Sequence, residues 1–381
     1  MERSCRGCGG GDVTTVLDLG RVPASDFFPR ADDPQEDPAW PLRLVMCADC
    51  ALVQLDVAEH PEPEAATAVE SATALIHARE SARAVIAAEG LKAGDRVIEI
   101  DSHHGGSWLG TFVGQGLIAT DPSGTAELVV DVHGIAHEPD LRAPLAAHAG
   151  RLAPRGRLVL EFHHLLPLVE QSQIDTIRHG HWVYLSLISL GDLLRRQGLV
   201  VTRAESTPVF GGSLRVTARR ASENPVIDAG VAAVVAAERA AGLDRPESIR
   251  ALAEHGAKVA EQVRQHILAA HRSGRTITAY GAPSKAAVLL RLAGVDRSIL
   301  PYTVDLAPAK HGCRIPGTGI PVEPIRELFV RRPDEIVILT WDIADEVVAQ
   351  LARDKRRGDW NPEVFVPLPA PRYLSGFDSE G

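Results

Sequence analysis

Between residues 94 and 220, short apolar runs recur at the spacing of an α/β sheet. The clearest, Arg96-Val-Ile-Glu-Ile100, alternates apolar and polar positions, breaks at Gly105-Gly106, and gives way to a helix-like pattern from Ser107. Such a strand, turn and helix open a doubly wound domain, whose ligands sit at the strand's C-terminal end. Leu117–Thr120, Leu128–Val132 and Arg157–Phe162 are predicted as further strands, the last preceded by a Pro154-Arg-Gly156 turn signal. Ser189–Gln197 is predicted as a helix. Val200–Arg203 and Ser213–Ala218 form a terminal strand pair, with Gly211-Gly212 as its hairpin turn. Only six residues separate Asp121 from Leu128, whereas a parallel crossover needs about a dozen or more. One strand and helix are therefore missing, or the sheet is connected unusually.

The flanks have other periods. Glu62–Leu91 is Ala-rich and helical, a segment able to cover the central crevice. Pro225–Ser273 reads as two long linking helices, punctuated by Gly242 and Pro246. A second α/β pattern follows, with strands at Thr276–Gly281, Ile299–Asp305 and Glu335–Trp341 and helices at Ala286–Leu292 and Asp342–Arg357. The tail after Pro371 is expected to be loosely held. Residues 9–46 are Pro-rich and read as strand-poor, and a small strand is expected around Leu44–Leu55. The predicted fold is α/β in several parts. A small module spans 1–60, a linking helical segment 61–93, a shortened Rossmann-like domain 94–220, linking helices 221–273, and a C-terminal Rossmann-like domain 274–381.

Chemistry sharpens that division. Four of the five cysteines form two matched pairs, Cys5-Arg-Gly-Cys8 and Cys47-Ala-Asp-Cys50. Two such pairs complete a tetrahedral zinc site, and using all four protein ligands leaves no open position, so the metal is structural. A region this short builds little core of its own, which gives the metal a physical purpose. The net charge of −10 argues against nucleic-acid or anionic-membrane partners. No apolar run is long enough to span a bilayer and no signal-peptide core is visible, so a cytoplasmic location is expected. In the C-terminal domain, Gly281, Ser284 and Lys285 combine a tight turn, a helix start and a cation. That suits an anionic substrate group as well as it suits an ordinary cap with an exposed lysine.

These motifs, in this order, resemble the bacterial deoxysugar C-methyltransferases, which methylate C-3 of TDP-linked 4-keto-6-deoxyhexoses. The resemblance covers nearly the whole chain. Leu44 to Leu55 around Cys47 and Cys50 is similar to the family's zinc module. Glu99 to Gly106 falls at the S-adenosylmethionine loop, which usually reads Glu-Ile-Gly-Ser-Asn-Asp-Gly. Glu161-Phe162, Asp175-Thr-Ile-Arg-His-Gly-His181, Gly211-Gly-Ser-Leu-Arg215, Gly281-Ala-Pro-Ser-Lys285, Tyr302-Thr-Val-Asp305 and Ile315-Pro-Gly-Thr318 match family stretches. The resemblance implies a methyltransferase-like central domain and a C-terminal domain that helps hold the TDP-sugar. It implies cofactor contacts from Glu99, Asp101, His103, Gly105 and Asp121, and substrate contacts from Ser284, Lys285, Tyr302 and Asp305. A base takes the C-3 proton beside the C-4 ketone, and by position that base is His181, with His179 and Arg178 beside it. Neutral imidazole suits the task. The protein is expected to be a monomer or small homo-oligomer.

The chain also departs from the family pattern. Asp101 stands for the loop's first Gly, His103 and His104 for its Asn-Asp pair, Arg178 for a Tyr and Gly180 for a Glu, and the segment bordering the adenine is missing. Nine of the fifteen histidines lie between His103 and His181, most of them in loops after strands, and so at one edge of the predicted sheet. Four readings follow. The first is C-3 methyl transfer from S-adenosylmethionine, and the second an S-adenosylmethionine-independent C-3 epimerase or isomerase working through crevice histidines. The others are a metal site built from histidines and Asp101, and a non-catalytic sugar-nucleotide-binding protein.

Overall fold

The computed structural model describes residues 4–57, 69–100, 106–374 and 377. The N-terminal module is richer in strand than its prolines suggest. β1 (Val13–Pro23) and β2 (Ala39–Cys47) run antiparallel between the two cysteine pairs, and β3 (Val53–Leu55) extends the sheet. The expectation of a strand-poor segment is therefore corrected. Leu17, Val22, Leu42 and Leu44 are buried on this sheet, and burying that apolar face outweighs the proline penalty at the strand ends. The sheet's fourth strand comes from far along the chain, as described below.

The helix predicted from Glu62 is described from α1 (Ala72–Glu89); its predicted start lies outside the described residues. Ser71 Oγ accepts from Ala74 N, and Gly90 closes the helix in the left-handed conformation at φ 60°. Ala74, Ala78, Ala82 and Val85 fall on one face and are buried.

The central sheet is built from β4 (Arg96–Ile100), β5 (Ile118–Ala119), β6 (Ala126–Val132) and β7 (Leu152–His163), with α2 (Leu109–Gly114) after β4 and α3 (Arg142–Gly150) before β7. These four strands are parallel. β5 resolves the short link: it pairs only with Arg96 and Val97, at the start of β4. The chain turns at once, with Gly124 N donating to Asp121 O at 2.9 Å and Arg151 Nε holding Pro122 O at 2.7 Å. Because β5 never climbs to the far edge, six residues suffice to pass around β4 into β6. α4 (Leu165–Glu170) follows β7. The chain then forms β8 (Val183–Tyr184), which joins β3 of the N-terminal sheet, so that sheet runs β1-β2-β3-β8. α5 (Leu187–Arg196), β9 (Leu199–Thr207) and β10 (Ser213–Arg220) complete the central sheet in the order β5-β4-β6-β7-β10-β9, the last two antiparallel as predicted. Gly211 and Gly212 form the turn between them at φ 83° and 117°, and a Cβ on Gly211 would lie 2.5 Å from Trp341. Positive φ and close packing both require glycine there.

The two linking helices are α6 (Ala229–Ala240) and α7 (Pro246–Arg272). Glu238 of α6 is fully buried and accepts from His164 Nε2 at 2.7 Å and from Leu187 N and Ile188 N at 2.6 and 2.8 Å. It thereby caps α5 and anchors the end of β7 together. Glu238→Gln turns one acceptor into a donor facing these N–H groups, and the expected cost is about 2 kcal/mol in urea unfolding. An unchanged midpoint would show that the cap is dispensable.

The C-terminal unit contains β11 (Ile277–Tyr280), α8 (Ser284–Ala293), β12 (Thr303–Asp305), β13 (Val322–Pro324), α9 (Arg326–Arg331), β14 (Glu335–Ile338), α10 (Ala344–Arg353), β15 (Glu363–Val366) and β16 (Arg372–Leu374). The sheet order is β13-β12-β11-β14-β15-β16, parallel except for the last pair. Most predicted elements here are present but shorter. Of the tail expected to be loose, the described residues are held: β16 pairs with β15, Phe377 is buried, and its ring packs edge-on to Trp360 at 5.6 Å. Among the described residues, no helix is long and apolar enough to cross a membrane.

Candidate active site and metal centre

Cys5 and Cys8 lie in the turn before β1, Cys47 ends β2, and Cys50 lies in the turn into β3. Sulfur separations are 3.6 Å for Cys5–Cys50 and 3.6 Å for Cys8–Cys47, and all four ligand atoms lie within 4.8 Å of one another. Tetrahedral zinc with bonds near 2.3 Å requires sulfurs ~3.8 Å apart, so the four fit the ion almost as they stand. Backbone N–H groups of Gly7 and Cys8 point at Cys5 Sγ, and that of Gly10 at Cys8 Sγ, each at 3.4 Å. The Cys50 thiol and these amides outweigh burial and pull Cys5 down to about 5, while Cys50 is pushed far up by the same sulfur contact. Among the described residues, no other group of three or more metal-ligating side chains converges in this way. The histidines of the central crevice are in ring contact instead.

Of the histidines expected at this edge, four meet; His103 and His104 lie outside the described residues, and His164 and His179 are turned to Glu238 and to Pro41 O. His133 and His137 follow β6, His163 ends β7, and His181 precedes β8. Ring centroids are 4.8 Å apart for His133–His163, 5.5 Å for His163–His181 and 5.0 Å for His137–His181. Phe210, from the β9–β10 turn, closes one end at 5.0 Å from His133. Asp131 fixes the loop after β6 by accepting from Gly134 N and Ile135 N at 2.9 and 3.1 Å. The result is one continuous wall of imidazoles. Burial, reinforced by the positive charges of His133, Lys285, Arg178 and His137, holds His163 well below the ordinary imidazole range and so neutral near pH 7.

Behind the wall lies Glu161 of β7, fully buried. Its Oε1 meets His77 Nε2 of α1 at 2.6 Å and His133 Nε2 at 3.7 Å, and Oε2 lies 3.9 Å from Arg215. Burial alone would raise this carboxyl, but His133 and His77 outweigh it and bring it down to about 2. α1 thus reaches across the sheet edge, in line with the covering segment anticipated from sequence. Its N-terminus is held from the C-terminal unit, where Glu346 of α10 accepts from Ala72 N and Thr73 N at 2.9 Å each.

The remaining catalytic candidates meet a second network. Arg178 Nη2 lies 3.0 Å from His181 Nε2, and Nη1 donates to Asp26 Oδ2 at 2.6 Å. Arg178 N and Tyr184 OH bond at 3.0 Å. Ser284 Oγ, at the start of α8, donates to the same Asp26 carboxylate. The structure therefore brings together Arg178, His181 and Ser284, from two predicted domains, through a residue of a third. His179 turns away, its Nε2 meeting Pro41 O of β2 at 3.1 Å. Lys285 Nζ pairs with Asp342 at 2.5 Å and lies 4.2 Å from the Trp341 ring, whose Nε1 donates to Asp175 at 2.7 Å. Burial pushes Asp175 up to about 6. A cavity of about 510 Å³ opens beside this group, with His164, Gly212, Ser213, Trp341 and Asp342 on its walls. Asp305 is used structurally: Oδ2 accepts from Ala282 N and Oδ1 from Ala307 N, both at 2.7 Å, which fixes the Gly281–Pro283 turn. Tyr302 lies under Arg331 of α9, 4.2 Å from the ring centroid.

Of the cofactor candidates, Asp101, His103 and Gly105 lie outside the described residues. Glu99, at the end of β4, accepts from Trp108 N at 2.6 Å and Ser107 Oγ at 2.5 Å and so opens α2. Asp121 is exposed, in the turn after β5, where it accepts from Ser123 N at 2.8 Å. The described residues thus supply the sheet edge that a nucleotide-type ligand uses, but both remaining acids already serve local turns. Sequence reasoning missed Asp26, His77, Trp341, Asp342 and Glu346. None belongs to a motif, and each matters through a contact with a residue more than 50 positions away.

The described chain thus combines a Rossmann-like sheet, a four-cysteine module and a second α/β unit. Residues 5–63 match a family model described as a zinc binding domain, and residues 208–369 match one described as a C-methyltransferase C-terminal domain. The chain is a bacterial C-methyltransferase-like protein with an N-terminal four-cysteine cluster able to hold a metal. It is similar to the C-methyltransferase NovU of Streptomyces niveus, 28% identical over 409 residues, covering 97% of this chain and 96% of that one. Among solved structures it overlaps a magnesium protoporphyrin IX methyltransferase from Synechocystis PCC 6803 with TM-score 0.30 and 15% identity, over 41% of this chain and 91% of that chain. A 1,6-didemethyltoxoflavin-N1-methyltransferase from Burkholderia thailandensis overlaps with TM-score 0.31 and 15% identity, over 45% and 96%.

Proposed function

We propose that the protein is a C-methyltransferase of a TDP-linked 4-keto-6-deoxysugar, acting in deoxysugar or antibiotic biosynthesis. The observation that carries this reading is the single histidine wall at the sheet edge, in a chain similar to a C-methyltransferase along nearly its whole length. His181 accepts the C-3 proton. S-adenosylmethionine, when bound, would supply the methyl group; Glu99 and Asp121 are its candidate contacts among the described residues, and Asp101, His103 and Gly105 are the candidates outside them. Ser284, Lys285, Tyr302 and Asp305 hold or shape the sugar-nucleotide side, and His179 supports the loop that carries His181.

The wall's continuity also weighs between the two leading readings. An epimerase needs acid and base on opposite faces of one carbon. Rings 4.8 to 5.5 Å apart leave no room for a sugar between them, so these histidines serve one face. The two-residue β5, and Asp121 already engaged by Ser123 N, favour the second reading, an S-adenosylmethionine-independent C-3 epimerase or isomerase.

Incubation with TDP-4-keto-6-deoxyglucose and S-adenosylmethionine separates them. The expected product is a TDP-sugar heavier by one methylene, with the new methyl at C-3. C-3 inversion with no mass gain and no dependence on S-adenosylmethionine would instead establish the epimerase. A product methylated on oxygen would overturn both.

A further inference from the structure

The contact between Arg178 and His181 bears on how the base is kept. A guanidinium only donates hydrogen bonds. With Arg178 Nη2 at 3.0 Å, His181 Nε2 must accept, so the neutral ring carries its proton on Nδ1. The lone pair that would take a substrate proton is occupied by the arginine. Both side chains are buried, Arg178 at 5% and His181 at 3% exposure. The other half of the guanidinium is fixed independently: Nη1 donates to Asp26 Oδ2 at 2.6 Å and reaches His179 O at 3.3 Å. Arg178 can therefore release His181 without leaving its place.

A 4-keto sugar presents the complementary pair. The C-4 oxygen lies only ~2.4 Å from C-3 by ordinary bond lengths, so a base on the C-3 proton and a donor on the oxygen must be neighbouring protein atoms. Arg178 Nη2 and His181 Nε2 are such neighbours. We propose that Arg178 is a catalytic residue that binds the C-4 oxygen, and that it masks the His181 lone pair until the substrate carbonyl replaces that nitrogen as its acceptor. Asp26, from the zinc module, is the positioning residue that holds Nη1 throughout. The proton balance is simple. The C-3–H bond breaks and the proton goes to His181 Nε2. The bonding pair forms the C-3–C-4 double bond, and the carbonyl π pair moves to oxygen as an enolate facing the guanidinium. Charge that develops on a desolvated oxygen is where a preformed donor has its largest effect.

This inference rests on the enolisation reading above and is tested alongside it. The full-length protein is incubated with TDP-4-keto-6-deoxyglucose in deuterated water, and deuterium at C-3 is followed by NMR. Wild type is expected to exchange. Arg178→Met should slow exchange at saturating probe about a hundredfold or more, with a much smaller change in KM, and millimolar guanidinium should restore part of the rate. Arg178→Lys keeps the charge but cannot hold Asp26 and the oxygen together, so an intermediate loss is expected. Asp26→Asn should lower kcat about tenfold with a much smaller change in KM, measured where the variant is still folded and with zinc content as in wild type. Exchange by folded Arg178→Met and Arg178→Lys within threefold of wild type overturns this inference and leaves enolisation standing. Absence of exchange in wild type overturns both. An independent readout is the ¹⁵N spectrum of His181 in the free protein, expected to show an unprotonated Nε2; a protonated Nε2 overturns the masking.

Discussion

Cys47→Ser is expected to abolish zinc binding and to cost the protein more stability than any other single change considered. Metal analysis should give about one zinc per wild-type chain and none for the variant. The four sulfurs are already arranged at zinc-ligand separations, and in small zinc domains the metal contributes on the order of 10 kcal/mol to folding. The loss here should be smaller, because β1, β2 and β3 also bury apolar residues and pair with β8. It should not stay local. β8 carries Tyr184, whose hydroxyl bonds the Arg178 backbone, and the loop after β1 carries Asp26. Disordering the module therefore disorders the candidate active site. A strong chelator should reproduce the effect on wild type. A Cys47→Ser protein that retains one zinc and the wild-type melting temperature would show that these cysteines do not hold a structural ion.

The second large effect concerns Glu161. Its carboxylate is fully buried and sits against His77 and His133, so Glu161→Ala leaves both imidazoles facing a void and should cost about 3 kcal/mol or more. A pH signature comes with it. The folded value of about 2 lies below the ordinary 4.5. A depressed carboxyl contributes stability that is fully present above the unfolded value and is lost as pH falls through the folded one. The contribution, on the order of 3 kcal/mol for a shift of this size, should be complete at pH 6 and disappear between about 4.5 and 2. Urea midpoints of wild type and Glu161→Gln should therefore converge across that window. A gap that stays constant from pH 6 to pH 2.5 would remove Glu161 from the role.

Both predictions also bear on how the molecule is tied together. Glu161 binds α1 to the central sheet, and Glu346 binds the same helix to the C-terminal unit. Asp26 joins Arg178 to Ser284, and Arg314 of the C-terminal unit pairs with Asp37 of the N-terminal module at 2.6 Å. These ties are polar, buried or half-buried, and made between residues far apart in sequence. They make the candidate site a product of all the units at once.

The sequence by itself determined the elements and the local chemistry. Alternation of period two placed the central strands, and helical spacing placed α1, α6 and α7, because each pattern reports which side of one element is buried. The paired cysteine knuckles marked the metal site, since two residues between ligands suffice to turn both sulfurs inward. The short link after Asp121 left a missing strand and helix or an unusual connection as the choices, and the structure has the second, a helix-free link around β4. Local patterns gave less where stability comes from distant partners. The strands between the knuckles escaped notice because their prolines argue against strand while their burial argues for it, and β16 because three residues paired with a distant strand carry no readable period. Only the tertiary structure decided which histidines touch, that Arg178 caps His181, and that an aspartate of the N-terminal module lies between the arginine and the C-terminal unit. The Asp26 bonds join residues more than 150 positions apart and leave no periodicity to read, and the ring contacts and the Arg178–His181 pair lie in loops without a repeating pattern, so all are fixed only when the sheets pack.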